Sequence, residues 1–268
     1  MKKLIALAAL AASLVTLAAC SGTSSSSSQL KKIQDKGTIV VATNAEFAPF
    51  EFQMIVNGKN TIVGSDIDLA NEIGKELGVK VQIDNMDFNN VLASVQSGKA
   101  DLALAGLSAN AQRKQAFDFS SVYYQDPNLI LIKKANLSKF TKISDFDGKQ
   151  VTAQTGSIQE GVIKDQMPKA SEVSLTDNGN IVTEVQGGQV AAAVLDGIVA
   201  KQYVDANPDL AIANVTLQQS NDGMGIAMKK NSGDLLKKVN DVIAKLKASG
   251  WITKDVDKNI ALANKAGK

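Results

Sequence analysis

From Gly37 onward the chain alternates short β-branched apolar runs with amphipathic stretches of helical period, and this alternation limits its fold more than any other feature. Strands that succeed one another through helices pair in parallel and are covered by those helices, so the pattern predicts an α/β fold. "GTIVVAT" (37–43) reads as a buried strand. "SDIDLANEIGKELGV" (65–79) reads as a helix with Ser65 or Asp66 as cap and Gly78 as stop, and "VKVQIDNM" (79–86) as a strand. "NNVLASVQSG" (89–98) is a helix closed by glycine, followed by the strand "ADLALAG" (100–106). A second series places strands in "LILIKK" (129–134), "DGKQVTAQTG" (147–156) and "VAAAVLDG" (190–197), with the helix "SIQEGVIKDQM" (157–167) halted by Pro168. "GIAMKK" (225–230) and the helix "DLLKKVNDVIAKLKASG" (234–250) end the pattern.

At 268 residues with 44% hydrophobic content, the chain can bury a substantial core. Its 29 basic and 27 acidic residues are spread evenly, so no basic face suits a polyanion and nucleic acid is not an expected partner. There is no histidine, and the one cysteine is Cys20. That removes Ser-His-Asp and Cys-His nucleophilic chemistry and zinc sites built from histidine or cysteine. "DGMGIAM" (222–228) lacks the spacing of a phosphate-cradling loop, and no cofactor is expected.

Lys2 and Lys3 precede an apolar run (4–19) whose polar members are Ser13 and Thr16, which reads as a signal peptide over 1–19. "LAAC" (17–20) resembles the lipobox of bacterial lipoproteins, in which the cysteine is lipidated and becomes the mature N-terminus; the alternative is an ordinary signal peptide. The resemblance implies a lipid anchor at Cys20 without a membrane span. "SGTSSSSS" (21–28) has no apolar residue to pack, and 20–36 reads as the lipidated cysteine with its serine-rich tether.

"VQSGKADLALAG" (95–106) and "VQGGQVAAAVLD" (185–196) align without gaps as helix end, glycine turn and buried strand. Open α/β sheets bind ligands outside the C-terminal ends of their strands. Residues 106–113 and Asp196 thus become candidates for opposite walls of one cleft. Asp196 at the mouth of an apolar strand is either the N-cap of the helix that follows or a counter-ion for a ligand ammonium. Arg113 is either a solvated residue pairing with Asp118 or, after an Asn110 cap, a cation that opposes the helix dipole unless an anion sits between them. Ammonium at Asp196 and carboxylate at Arg113 together describe an α-amino acid.

The motifs "TNAEFAPFEF" (43–52), "VGSDIDLANEIGKELG" (63–78), "DLALAGLSANAQRKQAFDFSSVYY" (101–124), "AQTGSIQE" (153–160) and "AAVLDG" (192–197) stand in this order, and from Gly37 to the C-terminal helix the sequence resembles the polar amino acid group of extracytoplasmic solute-binding proteins, the receptors of ABC importers. The resemblance implies a two-lobe periplasmic-binding-protein fold of type II with its ligand cleft between the lobes. Lobe 1 would be discontinuous, 37–127 and 222–268, and lobe 2 would be 128–221. It implies that Arg113 clamps the ligand carboxylate together with backbone N–H groups of Ser108 and Ser157. Asp196, the Gly106 carbonyl beside Ala105, and the Ser108 hydroxyl would take the ammonium. Phe47 and Phe88 match the positions that stack on the ligand side chain, the alternative being ordinary core packing, while Asn44 and Gln154 match those that read its far end. Asn44 stands where many relatives carry an acid, and Glu46 close by could restore a carboxylate. The expected partners are a polar L-amino acid (glutamine, arginine or histidine), the permease subunits and, through the anchor, a membrane; a monomer is expected. The alternative is a dehydratase-like enzyme on the same scaffold, against which stand the missing histidine and the lack of a second acid near Asp196.

Overall fold

The protein is described here by a computed structural model covering residues 28–219 and 222–266, so the signal peptide, Cys20 and most of the serine tract lie outside the described residues. In chain order the first part comprises α1 (Gln29–Lys36), β1 (Thr38–Thr43), β2 (Glu46–Phe47), β3 (Glu51–Val56), β4 (Lys59–Val63), α2 (Ser65–Leu77), β5 (Lys80–Asn85), α3 (Phe88–Ser97), β6 (Leu102–Ala103), α4 (Ala111–Ala116) and β7 (Phe117–Phe119). The second part holds β8 (Asn128–Lys133), β9 (Gln150–Gln154), α5 (Ile158–Gln166), β10 (Ser171–Leu175), α6 (Asn178–Gly187), β11 (Ala192–Asp196), α7 (Gly197–Ala206) and β12 (Leu210–Ile212). The chain then returns through β13 (Ala227–Lys229), α8 (Gly233–Ala248) and α9 (Trp251–Ala266).

Two five-stranded sheets result, ordered β5-β1-β6-β13-β7 and β10-β9-β11-β8-β12, beside a small antiparallel sheet β2-β3-β4. β1 pairs in parallel with β5 and β6, and β9 in parallel with β10 and β11. β13 and β8 run antiparallel to their neighbours, which corrects the all-parallel expectation. Each of these strands enters its sheet from the other lobe without a covering helix, so nothing obliges it to run in parallel. The 95–106 and 185–196 echo is structural: α3 and α6 both end on a left-handed glycine, Gly98 and Gly188, and β6 and β11 occupy the same place in their sheets.

Each large sheet is packed on both faces. In lobe 1, Ile39 and Val41 meet Leu69 and Ile73 of α2 and Leu235 and Val239 of α8, while the opposite face holds Val91 and Val95 of α3. In lobe 2, Ile163 of α5 and Ile181 of α6 cover opposite faces. Ile198 and Val199 of α7 belong to the lobe 1 core, so the two lobes share packed apolar surface behind the cleft.

Three local expectations are corrected. Residues 29–36, assigned to the tether, form α1: Ser28 caps it, and the fully buried Ile33 packs it onto the domain. The cap of α2 is Gly64, and Asp66 turns into the core instead. The chain does not end its fold at 250: Gly250 closes α8 with φ 69°, and α9 starts at once and buries Ile252 and Val256.

Candidate functional site

The C-terminal ends of β6, β9 and β11 converge on one narrow cavity between the lobes. Of the residues singled out from sequence, Phe47, Phe88, Ala105, Gly106, Ser108, Arg113, Gln154, Ser157 and Asp196 line it. Asn44 and Glu46 do not. Asn44 is buried one layer back, donating from Nδ2 to the Met86 carbonyl at 3.1 Å and accepting from Gln154 Nε2 at 3.0 Å. Glu46 accepts the backbone N–H of Asn178, at the start of α6, at 3.2 Å, and borders a separate interlobe groove with Asp177 and Tyr203. Both side chains are thereby spent on contacts between the lobes.

Arg113 stands on lobe 1. The Asn110 side chain accepts the Arg113 N–H at 2.8 Å and so caps α4. The guanidinium reaches back over the cavity: Nη1 donates to the Ser108 carbonyl and Nη2 to the Gly156 carbonyl of lobe 2, both at 3.1 Å, and it lies 5.9 Å from the Phe88 ring centroid. Asp118, the alternative partner, is instead paired with Lys230 at 3.3 Å. Desolvation pulls the Arg113 guanidinium down to about 10, so it stays a cation at neutral pH.

Asp196 stands on lobe 2. It occupies the N-cap position of α7 but makes no capping bond, because Asp126 of the crossover accepts the Ile198 N–H in its place. Its Oδ2 accepts from Gln159 Nε2 at 3.3 Å, and Gln159 also donates to Asn128 Oδ1 at 2.8 Å. Burial and then the charge of Asp126 push the Asp196 carboxyl up to about 7, against the Gln159 bond. Among the described residues neither Asp196 nor Arg113 belongs to an ion pair. One cavity thus carries a desolvated carboxyl on one wall and a desolvated cation on the other, the first suited to an ammonium and the second to a carboxylate.

Polar edges complete the cavity. The Ser157 N–H, expected to bind a carboxylate, closes a turn onto the Gln154 carbonyl at 3.0 Å, and the side-chain Oγ is the buried atom without a partner. Asn178, which the sequence reading did not select, is buried with both Nδ2 and Oδ1 unpartnered and lines the cavity; Gln159 was missed likewise. Gln159 lay inside the quoted "AQTGSIQE" motif, whereas Asn178 lies in the polar stretch "TDNGN" (176–180), where no periodicity marks a site.

Gly106 has φ 56°, and a Cβ there would lie 2.3 Å from the Phe47 ring. Gly106→Ala is expected to lower stability by about 1–3 kcal/mol through the left-handed backbone and the displaced ring. Thermal melts read this directly, and an unchanged midpoint would mean that Phe47 swings clear at no cost.

The sequence matches the family described as bacterial extracellular solute-binding proteins, family 3, over residues 39–261. It is 47% identical to an amino acid ABC transporter substrate-binding protein, AbpA, from Streptococcus pneumoniae, solved with L-arginine bound; the match covers 87% of this chain and 98% of that one, with a TM-score of 0.85. It is 32% identical over 259 residues to the arginine-binding extracellular protein ArtP of Bacillus subtilis, covering 95% and 96% of the two chains. A reconstructed amino acid-binding ancestor, described as a precursor of cyclohexadienyl dehydratase, is 31% identical with a TM-score of 0.79 over 87% of this chain and the whole of that one. The two-lobe α/β architecture and these matches agree, and the chain belongs to the family 3 bacterial extracellular solute-binding proteins.

Proposed function

We propose that the protein is the extracytoplasmic receptor of an ABC importer and that its ligand is L-arginine. The observation that carries this reading is the pair of desolvated ionisable groups, Arg113 on lobe 1 and Asp196 on lobe 2, facing one cavity. An α-carboxylate binds Arg113 and an α-ammonium binds Asp196, so the ligand touches both lobes and favours the closed arrangement. The ligand side chain runs between Phe47 and Phe88 toward Asn178, whose Oδ1 can accept from a guanidinium. Beyond Asn178, in the neighbouring interlobe groove, stand the acids Glu46 and Asp177. Burial, then the charges of Asp177 and Asp87, push the Glu46 carboxyl up to about 6, and a nearby cation relieves that strain. The arginine-bound relative at 47% identity supports the same choice.

Lobe 1 is read as 37–127 and 222–268 and lobe 2 as 128–221, with a signal peptide over 1–19 and a lipid anchor at Cys20 on the outer face of the membrane. The protein acts as a monomeric carrier without chemistry of its own. Asp196 is the one carboxylate lining the cavity among the described residues; contrary to the expectation from sequence a second acid, Asp126, does stand near it, but that carboxylate accepts the Ile198 N–H at the cap of α7.

Isothermal titration with arginine, glutamine, histidine and lysine tests the reading. One-site binding is expected, with arginine at least about tenfold tighter than glutamine, the weight of one charge-assisted hydrogen bond. Preference for glutamine would refute the arginine assignment, and no binding by any of the four would refute the receptor reading.

A further inference from the structure

Behind the cleft wall, two acids meet in the core of lobe 1. Glu51, at the start of β3, is 0% exposed and Asp66, in the first turn of α2, is 1% exposed. Gly64 brings these segments together: a Cβ there would lie 2.0 Å from the Phe50 carbonyl oxygen. The Ser65 and Asp66 N–H groups donate to the Pro49 and Phe50 carbonyls at 3.0 and 2.9 Å. Asp66 Oδ2 accepts from the Tyr123 hydroxyl at 2.8 Å and from the Gly106 N–H at 3.3 Å. Asp66 Oδ1 and both Glu51 oxygens have no N–H or O–H donor. α9 closes the site with Trp251, Ile252 and Val256, none of which is ionisable.

Two adjacent carboxylates in such a place, without a cation, are not a stable charge state. Among the described residues no lysine or arginine pairs with either. A proton on Glu51 removes the conflict of like charges and satisfies two of these three oxygens, since it supplies the missing donor and turns two facing acceptors into a hydrogen bond. The groups acting on the pair agree with that placement. Burial and then the Asp66 charge raise the Glu51 carboxyl well above its usual range. Burial raises Asp66 to about 6, against the bonds from Tyr123, Gly106 and Glu51. Asp196 is felt only through Tyr123, so no further charge competes for the proton.

We propose that Glu51 and Asp66 share one proton and act as positioning residues: the pair anchors the Gly106 N–H and the Tyr123 hydroxyl, and so ties the cleft wall to the crossover between the lobes. Tyr123 belongs to that crossover, where its N–H donates to the Met224 carbonyl at 2.9 Å while the Met224 N–H donates to the Tyr124 carbonyl at 2.8 Å. Gly106 lines the cavity two residues before Ser108. The step from this pair to ligand affinity rests on the amino acid reading of the cleft.

Two measurements on the full chain test it. A carboxyl with a raised folded pKa contributes stability that is complete below its unfolded value and is lost as pH rises through the folded one. Between pH 7 and 8 the unfolding constant of the wild-type protein should therefore rise relative to that of Glu51→Gln by up to about tenfold per pH unit, because the amide holds no removable proton. Parallel profiles would show that Glu51 is ionised and would overturn the proposal. In titrations with L-arginine, Glu51→Leu should bind at least about tenfold more weakly, the worth of one hydrogen bond to a charged group, and Glu51→Gln, which still donates to Asp66, should restore most of that loss. Equal affinity of the leucine variant and the wild type, with circular dichroism unchanged, would overturn the positioning role. Failure of the wild-type protein itself to bind arginine would instead count against the ligand assignment, and the unfolding profiles would still decide whether the proton is shared.

Discussion

Arg113→Ala is expected to weaken L-arginine binding at least about 100-fold, since removing one member of a desolvated charge pair costs about 3–5 kcal/mol. The guanidinium is held in position by the Ser108 and Gly156 carbonyls, so little side-chain entropy is lost on binding. Its planar fork presents parallel N–H groups to a carboxylate, a geometry an ammonium cannot copy. Arg113→Lys should therefore recover only part of the affinity. The fold should survive both changes, because α4 is short and among the described residues none of its six is fully buried. Isothermal titration with circular dichroism on the same samples checks this. Binding by the alanine variant within tenfold of wild type would sink the carboxylate clamp.

Much of this site was legible in the sequence, for reasons that can be named. Arg113 stood out because a cation just after the Asn110 cap conflicts with the helix dipole, and the structure shows the conflict avoided by a side chain that folds back over the cavity. Asp196 stood out as a charge ending an apolar strand, but its two readings could be separated only in three dimensions. The deciding residue is Asp126, distant in sequence, which takes over the cap of α7 and leaves Asp196 to the cleft.

What stayed hidden depends on pairing between lobes or on unusual burial. Asn44 and Glu46 lie in a quoted motif, yet they are committed to Gln154 and Asn178 across the cleft, and no local pattern encodes such partners. Asp66 fits a helix cap by residue type, whereas a glycine before it lets strand and helix touch and turns the carboxyl inward. α9 escaped notice because it follows Gly250, a strong stop signal, and because its buried face includes Asp255 and Asn259, which blur the apolar period. α1 was hidden by the serine tract beside it, its single fully buried residue being Ile33.

Asp196 should make binding depend on pH in a direction its surroundings fix. In the ligand-free protein, burial and then the Asp126 charge hold the carboxyl protonated up to about 7, so its contribution to stability is complete below the ordinary aspartate range and is lost as pH rises through about 7. A ligand ammonium has the opposite preference, because it pairs with the anion. Affinity should therefore be full above about pH 7 and fall by up to about tenfold per unit below it, as each bound ligand must displace a proton. Asp196→Asn removes the charge while keeping the shape, and should both weaken binding at pH 8 by about 100-fold and flatten the profile. Glu46 and Asp66, both raised to about 6, also titrate in this window, and the asparagine variant retains their share of the slope. Titration calorimetry from pH 5 to 8, in buffers of different ionisation enthalpy, measures both the affinity and the protons released. A flat wild-type profile, or one that the asparagine variant reproduces, would mean that the ammonium is held elsewhere in the cleft.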